Sequence, residues 1–242
     1  MIVVSDLSKV YRKNIDAVET KRSEGNSYIR TVDYVTAVQN VTFSVSKGEF
    51  VLIVGRSGSG KSTLLSILGG LTSPTEGIVK LNDKDLWSMS DEALSRLRAE
   101  YIGFVFQFSG LLSTLNVLEN VMLPSLFVKA KEDPVKRARK LLLDVGLDSK
   151  IQSFPSELSG GELKRAAIAR ALINDPLLIL ADEPTGDLDV DTEREIMELF
   201  KEINQQGKTI LMVTHNPELS SYSSRVIRME KGKISEPLID LS

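Results

Sequence analysis

The stretch Gly55-Arg56-Ser57-Gly58-Ser59-Gly60-Lys61-Ser62-Thr63 constrains this chain more than any other segment. Five apolar residues, Phe50–Val54, lead into it, and Lys61–Gly69 has helical character behind it. A buried strand, a glycine-rich loop and a helix, in that order, form the setting that a phosphate-binding loop requires. The glycines let the backbone curl so that successive N–H groups point into one concavity. The positive end of a helix sits behind that concavity and favours an anion. Such a loop would cradle phosphates with Gly55, Ser57, Gly58, Ser59, Gly60 and Thr63. Lys61 would bridge the terminal phosphates. The Ser62 hydroxyl would ligate Mg²⁺, which prefers hard oxygen donors. The plainer reading, a flexible Gly/Ser loop, does not account for the flanking strand and helix.

Around this loop, strands and helices alternate. Strand-like segments fall at Ala37–Val45, Ile78–Leu81, Tyr101–Phe106, Leu177–Ala181 and Thr209–Val213. Helical spacing of apolar residues appears in Asp91–Glu100, Pro134–Val145 and Asp191–Asn204. Met1–Val10 opens with a β-like Ile-Val-Val run, and Arg12–Thr31 reads as a long loop or hairpin. Alternation of this kind predicts an α/β fold with a mainly parallel sheet. From Phe108 to about Asp175 the pattern is helical with no clear strand, which predicts a helical lobe inserted into the α/β core. The 242 residues contain no Cys, so disulfides, zinc–thiolate sites and Cys nucleophiles are excluded. A formal charge of −3 does not suggest nucleic-acid binding. The apolar runs are strand-sized, far short of the ~18 residues that span a bilayer. The N-terminus lacks a signal pattern, so no export of the chain is expected.

Two further motifs carry chemistry. Leu178-Ile179-Leu180-Ala181-Asp182-Glu183 is an apolar strand ending in two carboxylates. At the C-terminal end of such a strand Asp182 would hold Mg²⁺ through water, and Glu183 would orient the attacking water. The second is Leu158-Ser159-Gly160-Gly161-Glu162. Ser159 and Glu162 are placed to form a capping box at a helix start. That box does not explain two successive glycines, which leave bare backbone at a helix N-terminus, a second anion site.

The phosphate loop, Leu158–Glu162, the Asp182–Glu183 strand and His215, in this order, resemble the ATP-binding-cassette (ABC) ATPases, over nearly the whole chain. The resemblance implies a P-loop NTPase (RecA-like) core with a mainly parallel sheet, an N-terminal antiparallel β part and an inserted α-helical lobe. One cassette would occupy 1–242. Its core would take about 1–107 and 176–242, the helical lobe about 108–175, and 12–35 would be a loop insertion. The resemblance also implies two chains sandwiching two ATP molecules head to tail, with Ser159, Gly160, Gly161 and Glu162 of one facing the nucleotide of the other. Gln107 resembles the glutamine that meets Mg²⁺ and water, and His215, the only histidine, resembles the switch residue that supports Glu183. Gly186–Asp189 resembles the loop that crosses the dimer interface, and Tyr11 the aromatic that stacks on adenine. The segment 12–35 is longer than that family's usual connection, and Tyr28 and Tyr34 are alternatives to Tyr11. Glu162 stands where Gln is usual, and Asp187 where Asn or Ala is commoner.

Phe104–Gln107, Leu118–Val121, Leu180–Gly186, Val213–Pro217 and Ser224–Ile227 resemble the lipoprotein-releasing (LolD-like), macrolide-export (MacB-like) and cell-division (FtsE-like) cassettes. The resemblance implies a peripheral protein on the cytoplasmic face of the membrane. It would hydrolyse ATP to power an integral membrane permease subunit. A soluble cassette of DNA repair or translation fits less well, because no sustained heptads separate the motifs and only one cassette is present. A non-transporting regulatory cassette is the remaining alternative.

Overall fold

The structure is a computed structural model that describes residues 1–14, 18–22, 25–29, 32–129 and 132–240. In chain order the elements are β1 (Ile2–Asn14), β2 (Val18–Arg22), β3 (Gly25–Ile29), β4 (Val32–Val45), β5 (Phe50–Val54) and α1 (Lys61–Leu68). There follow β6 (Glu76–Leu81), β7 (Lys84–Asp85), α2 (Asp91–Tyr101), β8 (Ile102–Val105), α3 (Val117–Met122), α4 (Pro134–Asp144) and α5 (Gly160–Leu172). The chain closes with β9 (Leu178–Asp182), α6 (Val190–Gln205), β10 (Thr209–Thr214), β11 (Arg225–Glu230) and β12 (Lys233–Asp240).

The continuous apolar run Phe50–Val54 is a strand buried at every residue. Its alternation serves two cores, because successive side chains leave a strand on opposite faces. Phe50, Leu52 and Val54 join α3, α4, α5 and α6 on one side. Val51 and Ile53 join α1, α2 and the N-terminal strands on the other. The central sheet has the order β12-β11-β5-β10-β9-β8, and β11, β5, β10, β9 and β8 are parallel. Only β12 runs antiparallel. A second, antiparallel sheet of order β4-β1-β6-β7 covers one face. This is the expected α/β architecture with its N-terminal antiparallel sheet.

Apart from α1, which follows Gly60 with no side-chain cap, each helix begins where a short polar side chain accepts from its free amides. Ser90 caps α2, Asn116 α3, Asp133 α4, Ser159 α5 and Asp189 α6. Among the described residues, 108–175 holds α3, α4, α5 and short 3-10 turns, and no strand.

Of the two readings given for Arg12–Thr31, a long loop or a hairpin, the described residues show the hairpin. Strands β1 and β4 continue their ladder into it, pairing Tyr11 with Val35, Arg12 with Tyr34 and Lys13 with Asp33. Beyond them β2 and β3 pair as a hairpin, with Val18 opposite Ile29 and Arg22 opposite Gly25. The physical reason is that two antiparallel strands leaving a sheet side by side already satisfy each other's amides and carbonyls. Val and Tyr at alternate positions favour continuing that ladder over opening it.

Candidate functional site

The parallel register brings the motifs together. Val54, the last residue of β5, is opposite Thr214 of β10, and Val213 is opposite Asp182 of β9. The three strand ends therefore lie side by side, and the loops that follow them carry Gly55–Gly60, Glu183 and His215. Ligand sites of parallel sheets lie at this carboxyl edge.

The phosphate loop is closed by backbone from elsewhere in the fold. Gly60 has φ +104°, and a Cβ on it would lie 2.0 Å from the Ala37 carbonyl oxygen of β4. A Cβ on Gly55 would lie 2.2 Å from the Met229 carbonyl oxygen of β11. Glycine is required at both positions. The Gly232 amide also donates to the Ser59 carbonyl at 2.9 Å. Arg56, Ser57 and Gly58 form the exposed rim, and Ser59 is buried with its hydroxyl unpartnered among the described residues.

Lys61, at 5% exposure, donates from Nζ to the carbonyls of Gly55 (2.7 Å) and Arg56 (3.2 Å). It also lies 3.5 Å from Glu183 Oε1. Ser62 Oγ donates to Asp182 Oδ1 at 2.9 Å, across 120 residues of sequence. Burial pushes the Asp182 carboxyl above its ordinary value; the Ser62 hydrogen bond and the Lys61 charge oppose that shift, while the neighbouring Glu183 charge adds to it. Thr63 follows in the first turn of α1, partly buried.

Glu183 has φ +44°, a left-handed conformation unusual for a residue with a side chain. Strained backbone of this kind gathers at functional sites. Its carboxylate faces two nitrogens of His215. Oε2 accepts from the His215 backbone N–H at 3.0 Å and lies 2.9 Å from the ring Nδ1. Lys61, Glu183 and His215 thus form one connected chain of polar contacts, with Asp182 and Ser62 beside it.

Ser159 and Glu162 form the expected capping box. The Ser159 side chain accepts from the Glu162 amide, and the Glu162 carboxylate accepts from the Ser159 amide at 2.8 Å. That bond from the Ser159 amide holds the Glu162 carboxyl below its ordinary value, and Lys150, 3.5 Å away, adds to the effect. Gly160 and Gly161 lie beside Leu188 and Thr192, at the start of α6. Among the described residues no hydrogen bond or ion pair joins Ser159–Glu162 to the phosphate loop of the same chain.

Gln107 is exposed just past β8, and its backbone carbonyl accepts from Lys164 Nζ. Tyr11 is 40% exposed, with Lys9 Nζ 5.0 Å from its ring centroid. It stands opposite Val35, two residues from Ala37 and so close to the loop's wall. Tyr34 is 68% exposed and sits in the next pair, where the pleat turns its side chain to the other face. The side chain of Tyr28 lies outside the described residues.

Sequence reasoning missed three contributors. The backbone walls at Ala37 and Met229 carry no side-chain signal. Glu193 of α6 accepts from Thr185 Oγ1 (2.8 Å) and Asn216 Nδ2 (3.2 Å), tying the loops after β9 and β10 together. Lys164 reads as one charge on a helix of mixed composition; its burial is visible only in three dimensions.

The family model described as ABC transporter matches residues 38–186. An ABC transporter ATP-binding protein of Thermotoga maritima, uncharacterised, is 49% identical over 202 residues, 83% of this chain and 86% of that protein. The lipoprotein-releasing system ATP-binding protein LolD of Aquifex aeolicus is 48% identical over 81% of this chain and 88% of its own. The macrolide export ATP-binding/permease protein MacB of Rhodopirellula baltica is 44% identical over 82% of this chain, which spans 30% of that longer protein. Among solved structures, the dimeric ATP-binding cassette MJ0796 in a post-hydrolysis state bound to ADP and Pi superposes with a TM-score of 0.84. It is 38% identical, over 100% of this chain and 99% of that one. The chain belongs to the ABC transporter family, as an ATP-binding cassette of the ATP-hydrolysing class.

Proposed function

We propose that this chain hydrolyses Mg²⁺-ATP as a head-to-tail dimer at the cytoplasmic face of a membrane, powering a separate permease subunit of the lipoprotein-release or macrolide-export type. The observation that carries this reading is the polar cluster of Lys61, Ser62, Asp182, Glu183 and His215 at the carboxyl edge of the parallel sheet.

The residues present fit ATP and Mg²⁺. The phosphate loop places a buried, unpartnered Ser59 hydroxyl inside a glycine cradle closed by two backbone carbonyls. Ser62 Oγ and Asp182 Oδ1 are one hydrogen bond apart, two hard oxygen donors of the kind that Mg²⁺ shares with phosphates and water. Gln107 is the third residue for that ion, and Tyr11 the platform for the base. Bound Mg²⁺ would neutralise charge on the phosphates.

The protein's own groups then divide the work. Lys61 turns from the loop carbonyls toward the terminal phosphates. Glu183, held by the His215 amide and ring, orients the attacking water and accepts its hydrogen bond. His215 keeps that carboxylate aimed and reaches the terminal phosphate. The bare amides of Gly160 and Gly161, at the N-terminus of α5, serve the nucleotide of the partner copy, which explains why Ser159–Glu162 lie away from the loop of their own chain.

This chain offers a permease a surface. Phe104 and Phe106 stack at 5.4 Å, and with Leu71 and Phe127 they line a groove where α2 meets the helical segment. Phe127 is 71% exposed, and Phe108 and Leu126 are similarly open. Exposed apolar residues gathered beside a groove fit an interaction site. The groove adjoins Gln107, so an apolar helix seated there would bear on the nucleotide site.

The test is Glu183→Gln. It keeps the shape of the cluster and removes the charge that orients water. Light scattering should show a dimer in Mg²⁺-ATP, with phosphate release lost. A variant that stays monomeric in ATP would overturn the sandwich.

A further inference from the structure

Lys164 is 5% exposed, and among the described residues it has no carboxylate within ion-pair distance. Its ammonium donates to two neutral acceptors, the backbone carbonyls of Phe106 (3.3 Å) and Gln107. Buried lysines are rare, and one held mainly by peptide carbonyls gives up most of its hydration for modest hydrogen bonds. An apolar side chain of similar length would fill the same space at lower cost to folding. The residue therefore calls for a role beyond stability.

Its position supplies one. Lys164 lies in the second turn of α5, five residues past the Ser159 cap, so its backbone moves with the Ser159–Gly161 terminus. Its side chain grips the two residues where β8 ends and Gln107 begins. A third element is close: the Asp187 charge acts on the ammonium from the loop after β9, and that loop also lies against the start of α5 through Leu188 and Gly160. Burial pulls the ammonium below the usual lysine range, and Asp187 draws it back.

We propose that Lys164 is a positioning residue that couples the two nucleotide sites of the dimer. It ties Gln107 of its own site to the helix whose N-terminus serves the site of the partner copy. This rests on the head-to-tail reading above. Displacement of Gln107 at one site would then be felt at the other through one side chain, with no rearrangement of the core.

The test compares full-length wild type with Lys164→Met, which keeps the stem and removes the donors. Lys164→Gln, which restores a donor of shorter reach, is the second variant. The readouts are phosphate release against ATP concentration, binding of a non-hydrolysable ATP analogue at low protein concentration, and thermal melting. Wild type should hydrolyse ATP with a Hill coefficient above 1. In Lys164→Met the coefficient should fall to about 1 and turnover about tenfold, with analogue affinity within twofold and melting unchanged or raised. Lys164→Gln should lie between the two. Asp187→Asn should lower the coefficient in wild type and have little further effect in Lys164→Met. Cooperativity kept in both Lys164 variants overturns the coupling role while leaving the dimer intact. Turnover lost only in proportion to folded protein reduces Lys164 to a structural residue. Wild-type hydrolysis that is non-cooperative and independent of dimerisation overturns the dimer reading itself, and the coupling with it.

Discussion

Replacing His215 with Ala separates catalysis from folding. The His215 side chain is 58% exposed and the Glu183 side chain 12%. Truncating the imidazole therefore uncovers little core, and the stability change should stay within about 0.5 kcal/mol, as for other surface substitutions. The catalytic cost is larger. Glu183 Oε2 has two contacts on His215, the backbone N–H at 3.0 Å and ring Nδ1 at 2.9 Å. Ala keeps the first and loses the second, so the carboxylate stays nearby but is no longer fixed in direction. The proposed reach of the ring toward the terminal phosphate goes as well. Loss of one preorganised polar group at a reacting centre costs roughly 2.7–4 kcal/mol, or about 100- to 1,000-fold in turnover. The assay is phosphate release at saturating ATP, with a melting curve on the same sample. Turnover should fall at least about 100-fold while the melting temperature moves by a degree or two at most. His215→Gln, which offers an amide of similar reach, should recover some of the loss. Turnover within threefold of wild type would refute the reasoning. So would a loss matched by a melting drop of several degrees, since the ring would then be holding the fold.

Three other outcomes follow from the same geometry. Gly60→Ala places a Cβ 2.0 Å from a backbone oxygen at φ +104°, whereas Gly58→Ala at φ +77° meets nothing within 4 Å. The first should cost about 3 kcal/mol or more and the second only about 1 kcal/mol, the cost of a left-handed conformation alone; calorimetry of both variants checks this. Asp189, the cap of α6, has its carboxyl held below the ordinary value by the Thr192 amide and hydroxyl. A lowered folded value means that the unfolded chain binds the proton more readily, so this contribution is present above the ordinary carboxylate range and fades as pH falls through the folded value. Asp189→Ala should thus lower the melting temperature at pH 7, with the gap to wild type closing under acid. Phe127→Glu should leave the hydrolysis of the separate cassette within twofold and abolish co-purification with its membrane subunit; retained co-purification would move the docking surface elsewhere.

Much of the fold was legible because it rests on local rules. Phe50–Val54, a short apolar run before a glycine-rich turn, reads as a strand buried on both faces, and the spacing of Ser159 and Glu162 reads as a capping box. The phosphate loop and the Asp182–Glu183 strand end were readable for the same reason, since their chemistry needs fixed residue types at fixed spacing. Other features depend on contacts that no local pattern encodes. The polar stretch within 12–35 leaves a loop and a hairpin both open in sequence, and only the ladder continuing from β1 and β4 decides for strands. Glu183 takes its left-handed backbone where its amide bonds to Val213 at 2.9 Å, a contact 30 residues away in sequence. Lys164 resembles any helix-surface lysine until α5 is packed against the end of β8.

The two carbonyls that press on the phosphate loop have a dynamic consequence. Ala37 belongs to the antiparallel sheet and Met229 to the parallel one, and Gly232 bridges them, donating to Ser59 and accepting from Gln39. The loop cannot open alone, because its release requires the antiparallel and parallel sheets to separate at their seam. The hydrogen-bonded amides at this seam, Gly55, Ser59, Gln39 and Gly232, should therefore exchange with deuterium in a shared opening event, rising as one cooperative unit and more slowly than the exposed rim at Arg56, Ser57 and Gly58.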